Sequence, residues 1–169
     1  KYGNTTTQGG LALVLHGYAS GLADAGSDGI AAFSDANWQF EGYNNYDYLG
    51  TSVAAISDFN GDSINDLAIG LPGTGYGGSV YIFYGATTLG LGATPDWTYT
   101  GTGLDVSELG SSLAGIPDYD NDGYDELVAG APSSANLEPE EGRIFIFKPE
   151  IQAPGFTISP SNGLETTEA

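Results

Sequence analysis

The stretch Leu49-Gly-Thr-Ser-Val-Ala-Ala-Ile-Ser-Asp-Phe-Asn-Gly-Asp-Ser-Ile-Asn-Asp-Leu-Ala-Ile-Gly-Leu-Pro72 lies without a gap over Leu109-Gly-Ser-Ser-Leu-Ala-Gly-Ile-Pro-Asp-Tyr-Asp-Asn-Asp-Gly-Tyr-Asp-Glu-Leu-Val-Ala-Gly-Ala-Pro132. The offset is 60 residues, from Leu49 to Leu109. Each copy holds a short apolar run, an Asp-rich loop with acidic groups at alternate positions, and a second apolar run that closes on Gly-x-Pro. A period of this length makes the repeat, not the single strand, the unit of the fold.

Working outward, Gly78-Ser-Val-Tyr-Ile-Phe83 matches Gly142-Arg-Ile-Phe-Ile-Phe147 at a shift of 64, and the earlier Gly10-Leu-Ala-Leu-Val-Leu15 at a shift of 68. Trp38-Gln-Phe-Glu-Gly42 matches Trp97-Thr-Tyr-Thr-Gly101 at a shift of 59, so both tryptophans hold the same place in successive units. A full unit therefore reads as four short strands, which is the plan of a propeller blade: blades of about 40 to 60 residues bury their faces against neighbours.

The expected fold class is all-β, built of four-stranded antiparallel blades in an incomplete β-propeller of about two and a half blades. The strands divide the chain into an N-terminal segment at 1–8 and a partial blade at 9–48 with its last two strands. A complete blade follows at 49–108, then a third at 109–150 lacking its last strand, and a linker or next module at 151–169. Closed propellers need about four blades or more, so this chain does not close a ring by itself.

Composition supports this class and excludes others. The 27 Gly, 8 Pro, 11 Tyr and 7 Phe suit short strands and tight turns rather than amphipathic helices. A length of 169 residues suffices for one domain that removes roughly 70% of its unfolded surface from water. With 0 Cys, disulfides, thiolate metal sites and cysteine nucleophiles are excluded. Methionine is also absent, even at position 1, which predicts a chain that starts inside a longer precursor, or after processing, rather than at an initiator residue.

Against 22 Asp and Glu stand only Lys1, Arg143 and Lys148, a formal charge of -19. Such a chain repels a phosphate backbone and anionic membrane surfaces, so no nucleic acid partner is expected. No apolar run approaches the roughly 20 residues of a membrane span, so no membrane insertion is expected either. The natural counterions of this surface are cations.

The Asp58–Pro72 and Asp118–Pro132 segments, each preceded by Leu-Gly and followed by a Gly-led aromatic strand, closely resemble FG-GAP repeats. These are the blades of the integrin alpha-subunit propeller and of many bacterial extracellular proteins. The likeness covers about residues 9 to 150. The Phe-Gly pair of the motif stands here as Leu49-Gly50 and Leu109-Gly110. The resemblance implies an extracellular or cell-surface location, and loops whose bound calcium stiffens the blades while partner recognition falls to loops on the opposite face.

The chemistry lies in the two acidic loops. Asp58, Asn60, Asp62 and Asp66 occupy positions 1, 3, 5 and 9 of the first, and Asp118, Asp120, Asp122 and Glu126 the same positions of the second. Alternation turns these oxygens to a common centre, and the position-7 carbonyls of Ile64 and Tyr124 add another. Five oxygens come near the about six to eight that calcium takes, and hard ligands without His or Cys disfavour zinc or copper. Magnesium, which wants a strict octahedron and keeps its waters, fits less well. Two carboxylates about 4 Å apart repel by roughly 4 kcal/mol at an effective dielectric near 20, so a converging set without a cation must open. Calcium at two sites is the expectation. In the second loop Asp125, beside Glu126, is the alternative last ligand. The alternative for both is a solvated Asp/Asn/Gly turn.

Other features carry less. Asp24-Ala-Gly-Ser-Asp28 falls in an insertion, since Gly17 to Trp38 spans 21 residues against 12 from Gly85 to Trp97, and lacks the alternation, so it reads as a plain loop. Asn4-Thr5-Thr6 is an N-glycosylation sequon. His16 aligns with Tyr84 and is expected at the exposed end of a strand. Leu13-Val-Leu-His-Gly17 superficially resembles a hydrolase strand end, but no Gly-x-Ser-x-Gly elbow followed by a histidine exists here. Carboxylate pairs for glycoside hydrolysis are available in number, yet the clustered ones have cation spacing.

The sequence thus predicts a non-enzymatic, calcium-stabilised structural or adhesive module, with a glycan- or protein-binding propeller as the alternative and a glycoside hydrolase as a remote one. The open edges of its incomplete blades predict docking to other blades or to copies of itself, head to tail, as in an extracellular fibre or array.

Overall fold

The computed structural model describes residues 8–18, 21–22, 36–73, 77–87, 90–103, 106–135 and 141–149. The sequon at Asn4, the acidic stretch Asp24–Asp28 and the segment 151–169 lie outside them. Among the described residues eleven strands form antiparallel sheets, and no α-helix occurs.

The central sheet has the order β5-β6-β7-β8, formed by Ser52–Ile56, Asp66–Leu71, Ser79–Phe83 and Trp97–Thr100. Before it, β1 (Leu11–Val14) pairs with β4 (Trp38–Glu41); after it, β9 (Ser112–Ile116), β10 (Glu126–Ala131) and β11 (Arg143–Phe147) make a three-stranded sheet. Four consecutive strands in a meander, flanked by a two- and a three-stranded relative, form partial propeller blades, and the propeller is not closed. In the insertion, β2 (Gly17–Tyr18) and β3 (Gly21–Leu22) form a small hairpin that the sequence did not signal.

Burial explains why the strands stack as blades. Strand β6 is buried along nearly its whole length, as a central strand covered on both faces must be. Ile69, Leu71 and Phe83 pack with Trp38 and Phe40 of the first sheet and with Leu49, just ahead of β5. The alternate residues Ala68, Val80 and Ile82 turn to the other face and pack with Leu127, Ala129, Phe145 and Phe147 of the third sheet and with Leu109, just ahead of it. Period-two alternation thus feeds two separate cores, one per seam.

The fourth-strand aromatics work the same way at both seams. Trp38 meets Phe83 edge-on at a centroid separation of 4.8 Å, and Trp97 meets Phe147 at 5.3 Å. Glycine is required where blades touch backbone to backbone: a Cβ at Gly10 would lie 2.1 Å from the Leu49 carbonyl oxygen, and one at Gly78 2.0 Å from that of Leu109.

The strand ends repeat as well. The amide of His16 donates to Asn37 Oδ1 at 2.7 Å, and that of Tyr84 to Asp96 Oδ2 at 2.8 Å. His16 thus holds the place predicted from its alignment with Tyr84, two residues beyond β1, but it is half-buried rather than exposed.

Candidate metal centre

Each acidic loop joins the first strand of a sheet to its second: 57–65 links β5 to β6, and 117–125 links β9 to β10. The chain curls through left-handed residues at matched positions, Gly61 (φ 82°) and Ser63 (φ 66°) in one loop, Asn121 (φ 60°) and Gly123 (φ 95°) in the other. The first carboxylate then gathers the amides ahead of it. Asp58 Oδ1 accepts from Gly61 and Asp62 at 2.7 and 2.9 Å, and its Oδ2 from Ser63 at 2.8 Å. Asp118 Oδ1 accepts from Asp122 at 2.9 Å and its Oδ2 from Gly123 at 3.0 Å. Asp62 and Asp122 in turn accept from the amides of Ile64 and Tyr124, at 2.8 and 3.0 Å.

The loops differ in what their last carboxylate does. Asp66 is buried and spends both oxygens on amides: Oδ2 accepts from Phe59 and Oδ1 from Gly85, each at 2.8 Å. Burial pushes its pKa up, against the lowering pull of those two amides, with Asp62 and Asp58 adding repulsion. Glu126 is fully buried; its Oε2 accepts from Tyr119 at 3.1 Å, whereas its Oε1 has no hydrogen-bond partner. Burial raises the Glu126 pKa, and Asp120, Asp122 and Asp118 raise it further.

In the second loop Asp118, Asp120, Asp122 and Glu126 each bring a carboxylate oxygen within 4.8 Å of the others. It is the one such group among the described residues; Asp58, Asp62 and Asp66 do not converge to this extent. Asp125 lies outside the group, because its Oδ1 accepts the Asp118 amide at 3.0 Å. A buried carboxylate with one oxygen lacking a donor, grouped with three more carboxylates, is the arrangement a hard cation satisfies.

Sequence reasoning missed Lys148. Its ammonium bonds to Asp120 Oδ2 and lies 3.7 Å from Asp122 Oδ2. The contact pulls the Asp120 pKa down and the Lys148 pKa up. The signal was present in the register: Phe147 pairs with Leu127, which puts the next residue beside the start of β10 and the loop that feeds it.

A model of the FG-GAP repeat matches residues 49–83 and 109–147. This chain carries two FG-GAP repeats. Over 105 residues, 57% of its length, it is 35% identical to mouse (Mus musculus) integrin alpha-M, and over 83 residues, 49%, it is 35% identical to human (Homo sapiens) integrin alpha-7. It is also 34% identical over 101 residues, 57% of its length, to mouse phosphatidylinositol-glycan-specific phospholipase D. These matches span 9%, 7% and 12% of the respective relatives, so the FG-GAP chain corresponds to a small part of each. No helix among the described residues is long and apolar enough to cross a membrane.

Proposed function

We propose that this chain is a calcium-stabilised structural or adhesive repeat module of an extracellular or cell-surface protein, divided into units at 9–48, 49–108 and 109–150. Calcium would be held at two sites: by Asp58, Asn60, Asp62, Asp66 and the Ile64 carbonyl in the first loop, and by Asp118, Asp120, Asp122, Glu126 and the Tyr124 carbonyl in the second. The observation that carries this reading is the convergence of four carboxylates in the second loop, among them that of buried Glu126, whose Oε1 lacks a partner. At the first site the ion would compete with the amides that Asp66 now accepts. Bound calcium would neutralise repulsion inside each loop and so fix the turn that aligns the first two strands of its blade. If so, calcium raises the melting temperature, and Asp118→Ala removes part of that rise. An unchanged melting curve in millimolar calcium would refute it.

Two further parts of the reading rest on surface features. The outer face of the third sheet leaves Ile144 75% exposed, beside half-buried Ile146, which suits another blade from the same polypeptide or a head-to-tail copy. A discrete monomer by light scattering in millimolar calcium would exclude the copy and a fibre built from it. Exposed Tyr43 and Tyr46, between β4 and β5, favour as a second reading the binding of a protein or glycan, which Tyr43→Ala would weaken.

A further inference from the structure

The second loop carries a cation of its own. Lys148 follows β11 and turns its ammonium onto Asp120, with Asp122 3.7 Å away, and both carboxylates belong to the converging group of four. In the complete blade the corresponding residue, one past Phe83, is the neutral Tyr84. The same strand end therefore carries an ammonium in one blade and a phenol in the other.

We propose that Lys148 is a built-in counter-cation of the second loop, which a divalent ion must displace from Asp120, so that the two loops load at different calcium concentrations. This rests on the calcium reading of the loops and deepens it. Two observations and one general principle support it. Lys148 is the neighbour that answers the charge of the group, yet its side chain is 39% exposed, so it leaves toward solvent without disturbing the core. Its ammonium engages Asp120 and Asp122 but leaves Glu126 Oε1 without a partner, so it neutralises the cluster without completing the coordination that a metal would provide. Finally, a flexible monovalent head is a weak substitute for a divalent ion among hard oxygens, as exposed ion pairs are individually weak. The loop would thus stay closed without calcium and yet remain responsive to it.

The inference is tested by calcium titration calorimetry of the full chain in an Asp58→Ala background, which removes the first site from every comparison. Lys148→Gln removes the competing charge and should tighten calcium binding there by roughly fivefold. In chelator, the same substitution in the otherwise unchanged chain should lower Tm by roughly 1–4 °C. Lys148→Tyr, which installs the residue that the complete blade uses, should reproduce both effects and guards against an idiosyncrasy of glutamine. Affinity that is unchanged or weaker in both variants would overturn the counter-cation and leave the calcium reading standing. An absence of calcium binding in every variant would overturn both.

Discussion

The backbone amide of Asp125 donates to the carbonyl of Asp58 at 3.0 Å, which bonds the eighth residue of one acidic loop to the first residue of the other. Beside this bond the ring of Tyr124 fills the space a side chain at Gly61 would need, 2.3 Å from an added Cβ. Successive loops are therefore in direct contact at one end of the seam, so an ion bound in either one would hold a strand entrance that the other uses. Groups that share partners in this way are coupled, typically by about 0.5–3 kcal/mol. A double-mutant cycle of Asp58→Ala and Asp118→Ala, read as Tm in calcium, should be non-additive. Strict additivity would show that the loops act independently.

Core loss should be severe where the first seam closes on one ring. Phe83 is fully buried and meets Trp38 and Phe40 at 4.8 and 4.9 Å. Phe83→Ala should cost about 3–5 kcal/mol in urea unfolding. Val53→Ala, on the same sheet but 59% exposed, should change stability by less than about 0.5 kcal/mol. Equal effects would mean that the first and second sheets do not pack as described.

Glycines divide into two kinds, and substitution should separate them. A Cβ at Gly70 would sit 2.0 Å from the Gly110 carbonyl oxygen and 2.4 Å from Ser52 Oγ, the hydroxyl that itself donates to that carbonyl at 2.6 Å. Gly70→Ala must push two blades apart and should cost about 3 kcal/mol or prevent folding. Gly103 has a left-handed φ of 89° with open space around it, so Gly103→Ala should cost only about 1 kcal/mol of backbone strain. Thermal melts of the two variants rank them directly.

Stability of the metal-free chain should fall as pH rises from about 4.5 toward neutrality. Burial raises the pKa of Glu126 and of Asp66, so in this window the folded state holds protons that the unfolded state has lost. Stability then declines with pH wherever the folded state binds more protons. Asp120, whose pKa Lys148 lowers, acts in the opposite direction but at an exposed position. Calcium, which needs the ionised carboxylates, should reverse the trend. Glu126→Gln should flatten the slope in chelator; a slope identical to that of the parent chain would contradict the assignment.

Much of this architecture is legible without coordinates because a repeat states its own geometry. Apolar alternation in Gly78–Phe83 assigns its faces, and the unbroken run Leu67–Leu71 marks a strand covered on both sides. The paired tryptophans give the blade register. The first loop's ligand pattern reads from spacing alone, but spacing does not say that Asp66 turns its oxygens to Phe59 and Gly85, since both amides are placed by the fold around it. Nor does spacing reveal that Asp125 is committed to the Asp118 amide while Glu126 faces the cluster. Lys148 is 28 residues from Asp120, and only the β10–β11 register brings them together. The hairpin β2–β3 escapes detection because two-residue strands carry no periodicity.

The most direct test of the account is calcium titration calorimetry on the full chain, repeated with Asp58→Ala and with Asp118→Ala. Two bound ions in the parent chain and one in each variant are predicted, with Tm rising alongside occupancy. Heats of dilution alone, or two ions retained after either substitution, would contradict the assignment of the loops as cation sites.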